Sequence, residues 1–203
     1  IPGRMLPFIL LGPGEHQEMI PIHISSACTL LVIDVQERLL AVMDEAERDS
    51  MLSHTETLVH LARHVGADIV YTEQYPKGLG GTEPSLLEVL TEAGATRVEK
   101  VHFDACTSPA FREPLEKMRR RVIMCGMETH ICVLSTARSL MTQQHDVLVP
   151  FDAVTSRSSA YKQNGLELMR EDGAIITNTE TLVFGTLGYS QHPEFKRFSK
   201  MIQ

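Results

Sequence analysis

The sequence predicts a doubly wound α/β domain in which helices cover both faces of a mainly parallel, six-stranded sheet. Short apolar segments alternate along the chain with segments whose apolar residues recur at helical spacing. Several of the short segments are apolar throughout, which is typical of strands buried on both faces of a parallel sheet. Strands that alternate with helices in this way favour a three-layer α/β/α arrangement.

The strand segments are rich in β-branched residues and are bounded by turn residues. The first of them, TLLVIDV at residues 29–35, is almost entirely apolar and carries one carboxylate near its end. In chain order, the six predicted strands are residues 29–35, 68–72, 96–101, 121–126, 145–150 and 173–178.

The segments between the strands carry helix signals. Leu52, Leu58 and Leu61 fall on one helical face, and Gly66 follows as a stop signal. Ser108 followed by Pro109 is typical of a capped helix start. The predicted helices are residues 50–65, 85–94, 108–118, the run from Thr129 onward, 158–172, and a short helix after the sixth strand, before a polar C-terminal tail.

Length and composition are those of one globular domain. The chain has 203 residues, of which 43% are hydrophobic and 22% charged. We assign residues 28–203 to the domain and residues 1–27, which contain glycine and proline punctuation, to an N-terminal arm. The apolar run at 6–12 is too short to span a bilayer, and its flanks support a signal peptide poorly.

Charge and cysteine content limit the compartment and the partners. The formal net charge is −7, and the longest basic block is RRR at 119–121, which argues against nucleic acid or a membrane surface as a partner. Four cysteines occur at irregular spacing without a CxxC pair. A chain of this size with that pattern is typical of a reducing compartment, so we expect a cytoplasmic protein.

Three residues with reactive side chains fall at the ends of predicted strands: Asp34, Lys100 and Cys132. The carboxyl ends of parallel strands meet at one edge of the sheet, where ligands bind. A lysine ammonium stabilises a thiolate, and an aspartate can act as a general base. With Thr129 as N-cap, Cys132 would lie in a helical first turn, whose N–H groups could stabilise an oxyanion.

Residue types alone leave alternatives open. Asp34 could be a turn residue, Lys100 a solvated charge and Cys132 an inert core residue. A zinc site could be built from His102, Cys106, His130 and Cys132, although their spacing is not a usual one. Cys125 is expected in the core, and Cys106 either packs or serves as a second oxidisable thiol.

The motifs IDVQ at 33–36, EK at 99–100 and GMETHICV at 126–133 together resemble the isochorismatase-like cysteine hydrolase family. The segments at 72–80, 100–103 and 152–158 further resemble its isochorismatase-domain-containing branch. The resemblance implies a Rossmann-like fold and a catalytic triad of Asp34, Lys100 and Cys132. It also implies a cis peptide bond at Met127–Glu128, which turns the backbone amides of Glu128 and Cys132 toward the oxyanion.

The resemblance also suggests pocket residues and a reaction. Pocket candidates are Gln36, Glu73, Phe103, Met127, Thr129 and His130, with ordinary core packing equally open for Phe103 and simple exposure for His130. Residues 72–84 lack the histidine through which related nicotinamidases bind a metal, so neither a metal nor another cofactor is expected. A small amide-like or related carbonyl substrate, a thioester intermediate and a homo-oligomer are expected. The alternative is a catalytically idle relative that acts as a binding or scaffold protein, or as a thiol redox sensor.

Overall fold

The computed structural model describes residues 20–203. Most of the predicted arm, including the apolar run at 6–12, lies outside the described residues. Within its described part, Ile24 is buried in the core and its N–H donates to the Thr186 hydroxyl at 2.9 Å. None of the helices in residues 20–203 is both long and apolar enough to cross a membrane.

The described strands form one parallel sheet in the order β3-β2-β1-β4-β5-β7, with β6 paired to the end of β4. The strands are β1 (Cys28–Ile33), β2 (Asp68–Gln74), β3 (Thr96–Lys100), β4 (Arg121–Met127), β5 (Asp146–Pro150), β6 (Val154–Thr155) and β7 (Ile175–Thr177). The order reverses direction between β1 and β4, which makes the sheet doubly wound, as predicted.

Helices lie on both sides of this sheet. They are α1 (Glu37–Leu40), α2 (Glu45–Val65), α3 (Pro76–Leu79), α4 (Pro84–Glu92), α5 (Arg112–Lys117), α6 (Leu134–Thr142), α7 (Ser159–Glu171), α8 (Thr179–Leu187) and α9 (Phe195–Met201). Asp44 caps α2 by accepting the N–H groups of Ala46 and Glu47, and Gly66 ends the helix with a left-handed φ of 71°.

Strand β1 shows how the two cores are divided. Leu30 and Val32 pack into the core shared with α2, α4, α8 and α9. Leu31 and Ile33 point to the opposite face and pack with α6 and α7. Because successive strand side chains alternate between faces, one continuous apolar segment fills both cores.

The structure differs from the predicted elements at three places. Helix α2 begins at Glu45 rather than near residue 50, and β6 is an additional strand of two residues, too short to show a periodicity. The predicted polar C-terminal tail contains α9, whose Phe198 is fully buried. Phe195, Phe198 and Met201 recur at helical spacing and pack on the same core, a pattern that the flanking charged residues obscured.

Candidate active site

The three predicted site residues lie at the carboxyl edge of the sheet. Asp34 directly follows β1, Lys100 is the last residue of β3, and Cys132 lies in the turn after β4. Because β1 and β4 are hydrogen-bonded neighbours on either side of the reversal in strand order, Asp34 and Cys132 flank the crevice where ligands bind in doubly wound sheets.

A glycine allows this close approach of β1 and β4. Gly126 has a φ of 110°, and a Cβ atom built there would lie 2.1 Å from the carbonyl oxygen of Ile33. Any side chain at position 126 would therefore push the end of β4 away from β1. Gly126 also fixes this end of the strand by donating its N–H to the carbonyl of Ala153 at 2.9 Å.

Asp34 and Lys100 form a buried ion pair. The Lys100 Nζ lies 2.6 Å from the Asp34 Oδ2, and both side chains are 0% exposed. The other carboxylate oxygen of Asp34 accepts the Thr72 hydroxyl at 2.6 Å. Asp34 itself has a left-handed φ of 50°, a conformation that Asp adopts more easily than most residues, and its N–H donates to the Thr72 carbonyl at 3.1 Å.

The Lys100 ammonium is fully hydrogen-bonded. It donates to Asp34, to the Gln74 Oε1 at 2.9 Å and to the His102 carbonyl at 3.1 Å. These three acceptors account for its three N–H groups. Lys100 therefore has no N–H group left for Cys132, and it helps to fix the position of Asp34.

Cys132 is 7% exposed and lies in a π-helical turn, Thr129–Val133. Burial, together with the charge and hydrogen bonding of Asp34, raises the pKa of the Cys132 thiol to about 12, against the lowering effect of Lys100. Lys100 thus favours the thiolate, as expected of a neighbouring ammonium, but burial and Asp34 together have the larger effect. With a pKa this high, the thiol keeps its proton at neutral pH.

The turn before Cys132 contains a cis peptide bond between Met127 and Glu128, where the resemblance implies one. The prediction that Thr129 is the N-cap is wrong. Glu128 takes the N-cap position, and Thr129 is the first residue of the turn, where its hydroxyl donates to the carbonyl of Thr155 at 3.0 Å. The Val133 N–H donates to the Glu128 carbonyl at 3.3 Å, five residues back, which gives the turn its π character.

The side chains of two predicted pocket residues, Gln36 and Glu73, form hydrogen bonds with the loop after β2 and its neighbours. The buried Gln36 amide exchanges hydrogen bonds with the backbone of Gln74 and donates to the Gly80 carbonyl at 2.7 Å. The Glu73 carboxylate accepts the N–H and the hydroxyl of Thr82 at 2.8 and 2.7 Å and binds Arg97. Both residues thus hold the loop after β2 rather than facing the Asp34–Lys100 pair.

Sequence reasoning missed Thr72 and Gln74, the two β2 residues that contact this pair. They flank Glu73, and side chains alternate between the faces of a strand, so Thr72 and Gln74 share the face opposite to that of Glu73. If Asp34 and Lys100 are placed on one face of the sheet, this alternation predicts that Thr72 and Gln74 lie beside them.

The remaining pocket candidates differ in their surroundings. Met127 and Thr129 are fully buried, whereas the Phe103 side chain is 62% exposed, which excludes core packing for it in the described chain. His130 is partly buried: its Nδ1 is hydrogen-bonded to the Ser156 hydroxyl at 3.0 Å, and its ring packs against the tilted ring of Tyr161 of α7, with the ring centroids 4.8 Å apart. Simple exposure is therefore not the environment of His130.

The other cysteines and the alternative metal ligands do not form a second centre. Cys125 is fully buried, and burial raises the pKa of its thiol to about 12, as expected for a core cysteine. Cys106 is half-buried, and burial together with Asp104 raises the pKa of its thiol to about 12. Across residues 20–203, no three side chains of His, Cys, Asp or Glu are grouped closely enough to hold a metal ion.

Two open cavities bear on the position of the site. A groove of about 450 Å³ is lined by Lys100 and His102 of the site edge, with Tyr75, Pro76, Ser108 and Pro109. A larger one of about 750 Å³ lies at the opposite, amino end of the sheet, beside Thr29, Asp68 and Thr96. The candidate site is placed by Asp34, Lys100 and Cys132 at the carboxyl edge of the sheet and not by either cavity, because the lining of the smaller groove includes Lys100 but neither Asp34 nor Cys132.

The protein has a three-layer α/β fold of hydrolase type. A buried Asp–Lys pair and a cysteine lie at the carboxyl edge of its parallel sheet, beside the point where the strand order reverses. The isochorismatase domain model matches residues 28–181. The chain belongs to the isochorismatase family.

Relatives and solved structures agree with this assignment. The chain is 34% identical to isochorismatase domain-containing protein 2 of Bos taurus over 178 residues, 86% of this chain and 82% of that protein. It is 33% identical to the secreted isochorismatase effector Isc1 of Phytophthora sojae over 183 residues, 89% of this chain and 86% of the effector. A structure of the MAR1 ribonuclease from Caenorhabditis elegans superposes with a TM-score of 0.77 at 33% identity, covering 89% of this chain and 92% of that one.

Proposed function

We propose that this protein is a metal-independent cysteine hydrolase that acts on a small amide-like or related carbonyl substrate through Asp34, Lys100 and Cys132. The observation that carries the proposal is the buried ion pair of Asp34 and Lys100, 2.6 Å apart, beside a protonated thiol. Burying an ion pair costs free energy, because both charges lose their hydration. Buried charged pairs of this kind cluster at active sites, where the charges take part in the reaction.

The geometry supports acyl transfer with Asp34 as the proton carrier. The Cys132 sulfur forms a bond to the substrate carbonyl carbon while its proton passes to the Asp34 carboxylate. The carbonyl electron pair moves onto oxygen, where the backbone amides of Glu128 and Cys132 are the proposed donors. When the carbonyl re-forms, the amine leaves with the proton from Asp34, and a thioester on Cys132 is left.

Hydrolysis of the thioester uses the same groups. Asp34 takes a proton from a water molecule, which attacks the thioester carbonyl, and the sulfur leaves and recovers the proton. The raised pKa of Cys132 fits this scheme, because the thiol gives up its proton only when a substrate carbon replaces it. The hydrogen bond from Lys100 to Asp34, at 2.6 Å, keeps the carboxylate in place for both steps.

The end of β2 supports a route without a metal. At this edge the Gln74 carboxamide accepts from Lys100 and donates to the Val101 carbonyl at 2.9 Å. Both of its functional groups thus serve the ion pair and the scaffold. A carboxamide in this place is a hydrogen-bonding group rather than one of the usual ligands of zinc.

The similar structure from Caenorhabditis elegans is named a ribonuclease, so ribonuclease activity is a second activity to consider for this chain. The formal net charge of −7 and the lack of a basic block longer than three residues do not favour a polyanionic substrate. A small neutral carbonyl compound needs no basic surface and is therefore the substrate class that we propose. The homo-oligomeric state and the cytoplasmic location stay predictions from the sequence.

A substrate panel tests the proposal. Amides, imides, carbamates and esters are incubated with the purified protein, and release of ammonia or acid is compared with that of Cys132→Ala and Cys125→Ala. We expect at least one compound for which Cys132→Ala loses about a thousandfold or more in kcat. Cys125→Ala, which removes a buried thiol of the core, should retain turnover. Equal turnover by Cys132→Ala and the wild type would refute the proposal.

A further inference from the structure

The side chains of three successive residues before Cys132 are hydrogen-bonded to three successive residues that begin at Thr155, the last residue of β6. The Glu128 carboxylate accepts the backbone N–H of Arg157 at 3.0 Å, and the Thr129 hydroxyl donates to the Thr155 carbonyl at 3.0 Å. The His130 Nδ1 is hydrogen-bonded to the Ser156 hydroxyl at 3.0 Å. We call residues 155–157 the clamp segment.

The clamp segment is itself fixed to the sheet. Its first residue, Thr155, belongs to β6, which pairs in parallel with Gly126 and Met127 at the end of β4. On the other side, α7 packs directly on the turn: a Cβ atom at Gly165 would lie 3.0 Å from the Cα of His130. The turn is therefore held between the clamp segment and α7.

Arg157 makes the strongest of these connections. Besides its backbone N–H, its guanidinium binds both carboxylate oxygens of Glu128, with Nε at 3.0 Å from Oε2 and Nη2 on Oε1. The Glu128 side chain is only 6% exposed, so this pair is shielded from water on the acid side. Burial raises the pKa of Glu128, but the hydrogen bonds and charge of Arg157 outweigh that effect and leave its pKa below the usual value.

We propose that Arg157 is a positioning residue of the candidate active site: by holding the Glu128 carboxylate, it fixes the backbone of residues 128–132 in the orientation that presents amide N–H groups to the substrate oxygen. The inference rests on the proposed function for its chemical meaning. The structural part of the inference, that Arg157 orders this turn, does not depend on the proposed function and can be tested without it. The fork of a guanidinium matches a carboxylate in two places at once, which an ammonium cannot do.

The position of the turn and the reactivity of the sulfur can be measured with different probes. Acylation of Cys132 by p-nitrophenyl acetate develops negative charge on a carbonyl oxygen and so depends on the amide donors. Alkylation of Cys132 by iodoacetamide is a displacement at carbon that needs the thiolate but no donor to an oxyanion. A residue that positions the turn should affect acylation more than alkylation.

The experiment compares the wild type with Arg157→Gln, Arg157→Lys and a matched control, Arg138→Gln. Arg138 lies on α6, a few residues beyond Cys132, and forms a surface ion pair with Asp172. Hydrogen exchange of peptides covering residues 126–134, the rate of p-nitrophenol release and the rate of Cys132 alkylation are measured for each protein. Circular dichroism verifies that each variant is folded.

We expect Arg157→Gln to speed hydrogen exchange in 126–134 at least tenfold, to slow acylation at least tenfold and to change alkylation less than threefold. Arg157→Lys should restore part of the acylation rate, and Arg138→Gln should match the wild type. Unchanged exchange in 126–134 would overturn the positioning role whatever the rates, and so would an equal fall in acylation and alkylation. Faster exchange in Arg157→Gln, with no acylation of wild-type Cys132, would uphold the positioning role and refute the proposed function instead.

Discussion

The Lys100 ammonium lies 2.6 Å from the Asp34 carboxylate, and neither side chain is exposed to solvent. This pair joins the ends of β1 and β3, which are separated in the sheet by β2. Thr72 and Gln74 of the intervening strand complete the arrangement by bonding to Asp34 and to Lys100 respectively. The Asp34 carboxylate is therefore held by groups from two other strands, β2 and β3, which limits its motion.

Asp34→Asn should separate thiol reactivity from turnover. Asp34 raises the pKa of Cys132 through its charge and hydrogen bonding, whereas Lys100 lowers it. Without the carboxylate, the pKa of Cys132 should fall, and alkylation by iodoacetamide at pH 8 should become about tenfold faster, the effect of one pKa unit. Turnover should nevertheless fall by about 10²–10⁴, because the general base is lost. Slower alkylation together with lost turnover would contradict the role given to Asp34.

Lys100→Met should destabilise the fold far more than the loss of a surface lysine does. It leaves the Asp34 carboxylate buried without its counter-ion, which costs about 3–5 kcal/mol in the free energy of unfolding, measured by urea denaturation. The control is Lys117→Met, which removes the exposed partner of Glu113 and should leave stability almost unchanged. Adding Asp34→Asn to Lys100→Met should recover part of the loss. A double variant as unstable as the sum of both single variants would argue against this ion pair.

Glu73 should make part of the stability depend on acid pH. Burial raises the pKa of Glu73, but the bonds from Arg97 and Thr82 outweigh it, so its pKa in the folded protein lies below the usual value of about 4.3. A lowered pKa stabilises the fold above about pH 4.3, and this stabilisation is lost as the pH falls through the folded-state value.

The measurement is the free energy of unfolding of the wild type and of Glu73→Gln between pH 7 and pH 3. The advantage of the wild type should be largest at neutral pH and shrink in acid. Arg97→Met serves as a companion variant, because it removes one of the two residues that lower the pKa of Glu73 and should weaken the same pH dependence. A wild-type advantage that grows in acid would show that Glu73 is not held as a carboxylate.

The order of strands and helices could be predicted because each element carries its own local pattern. The elements that escaped prediction lack one: β6 has two residues, and its partner Gly126 is 28 residues away in sequence. Helix α9 was missed for a different reason, since its apolar residues are few and lie among lysines and an arginine. Tertiary packing on the core, rather than a strong local preference, gives that helix its place.

Residue types and the positions of the strand ends were sufficient to predict which three residues lie together at the edge of the sheet. Asp34, Lys100 and Cys132 lie at one edge of the sheet because parallel strands place their carboxyl ends together. The raised pKa of Cys132 could not be predicted, because it follows from burial and from the nearness of Asp34. Nor could Arg157 be found as the partner of Glu128, since no local pattern links residues 29 positions apart.

The central claim is that the sulfur of Cys132 carries a covalent acyl group during turnover. The most direct test mixes the protein with a substrate found in the panel, quenches the reaction in acid within the first turnover, and maps peptides by mass spectrometry. We predict the mass of the acyl group on the peptide containing Cys132, its removal by hydroxylamine, and its absence in Cys132→Ala. Turnover that depends on Cys132 but leaves this peptide unmodified under conditions that preserve thioesters would contradict the account.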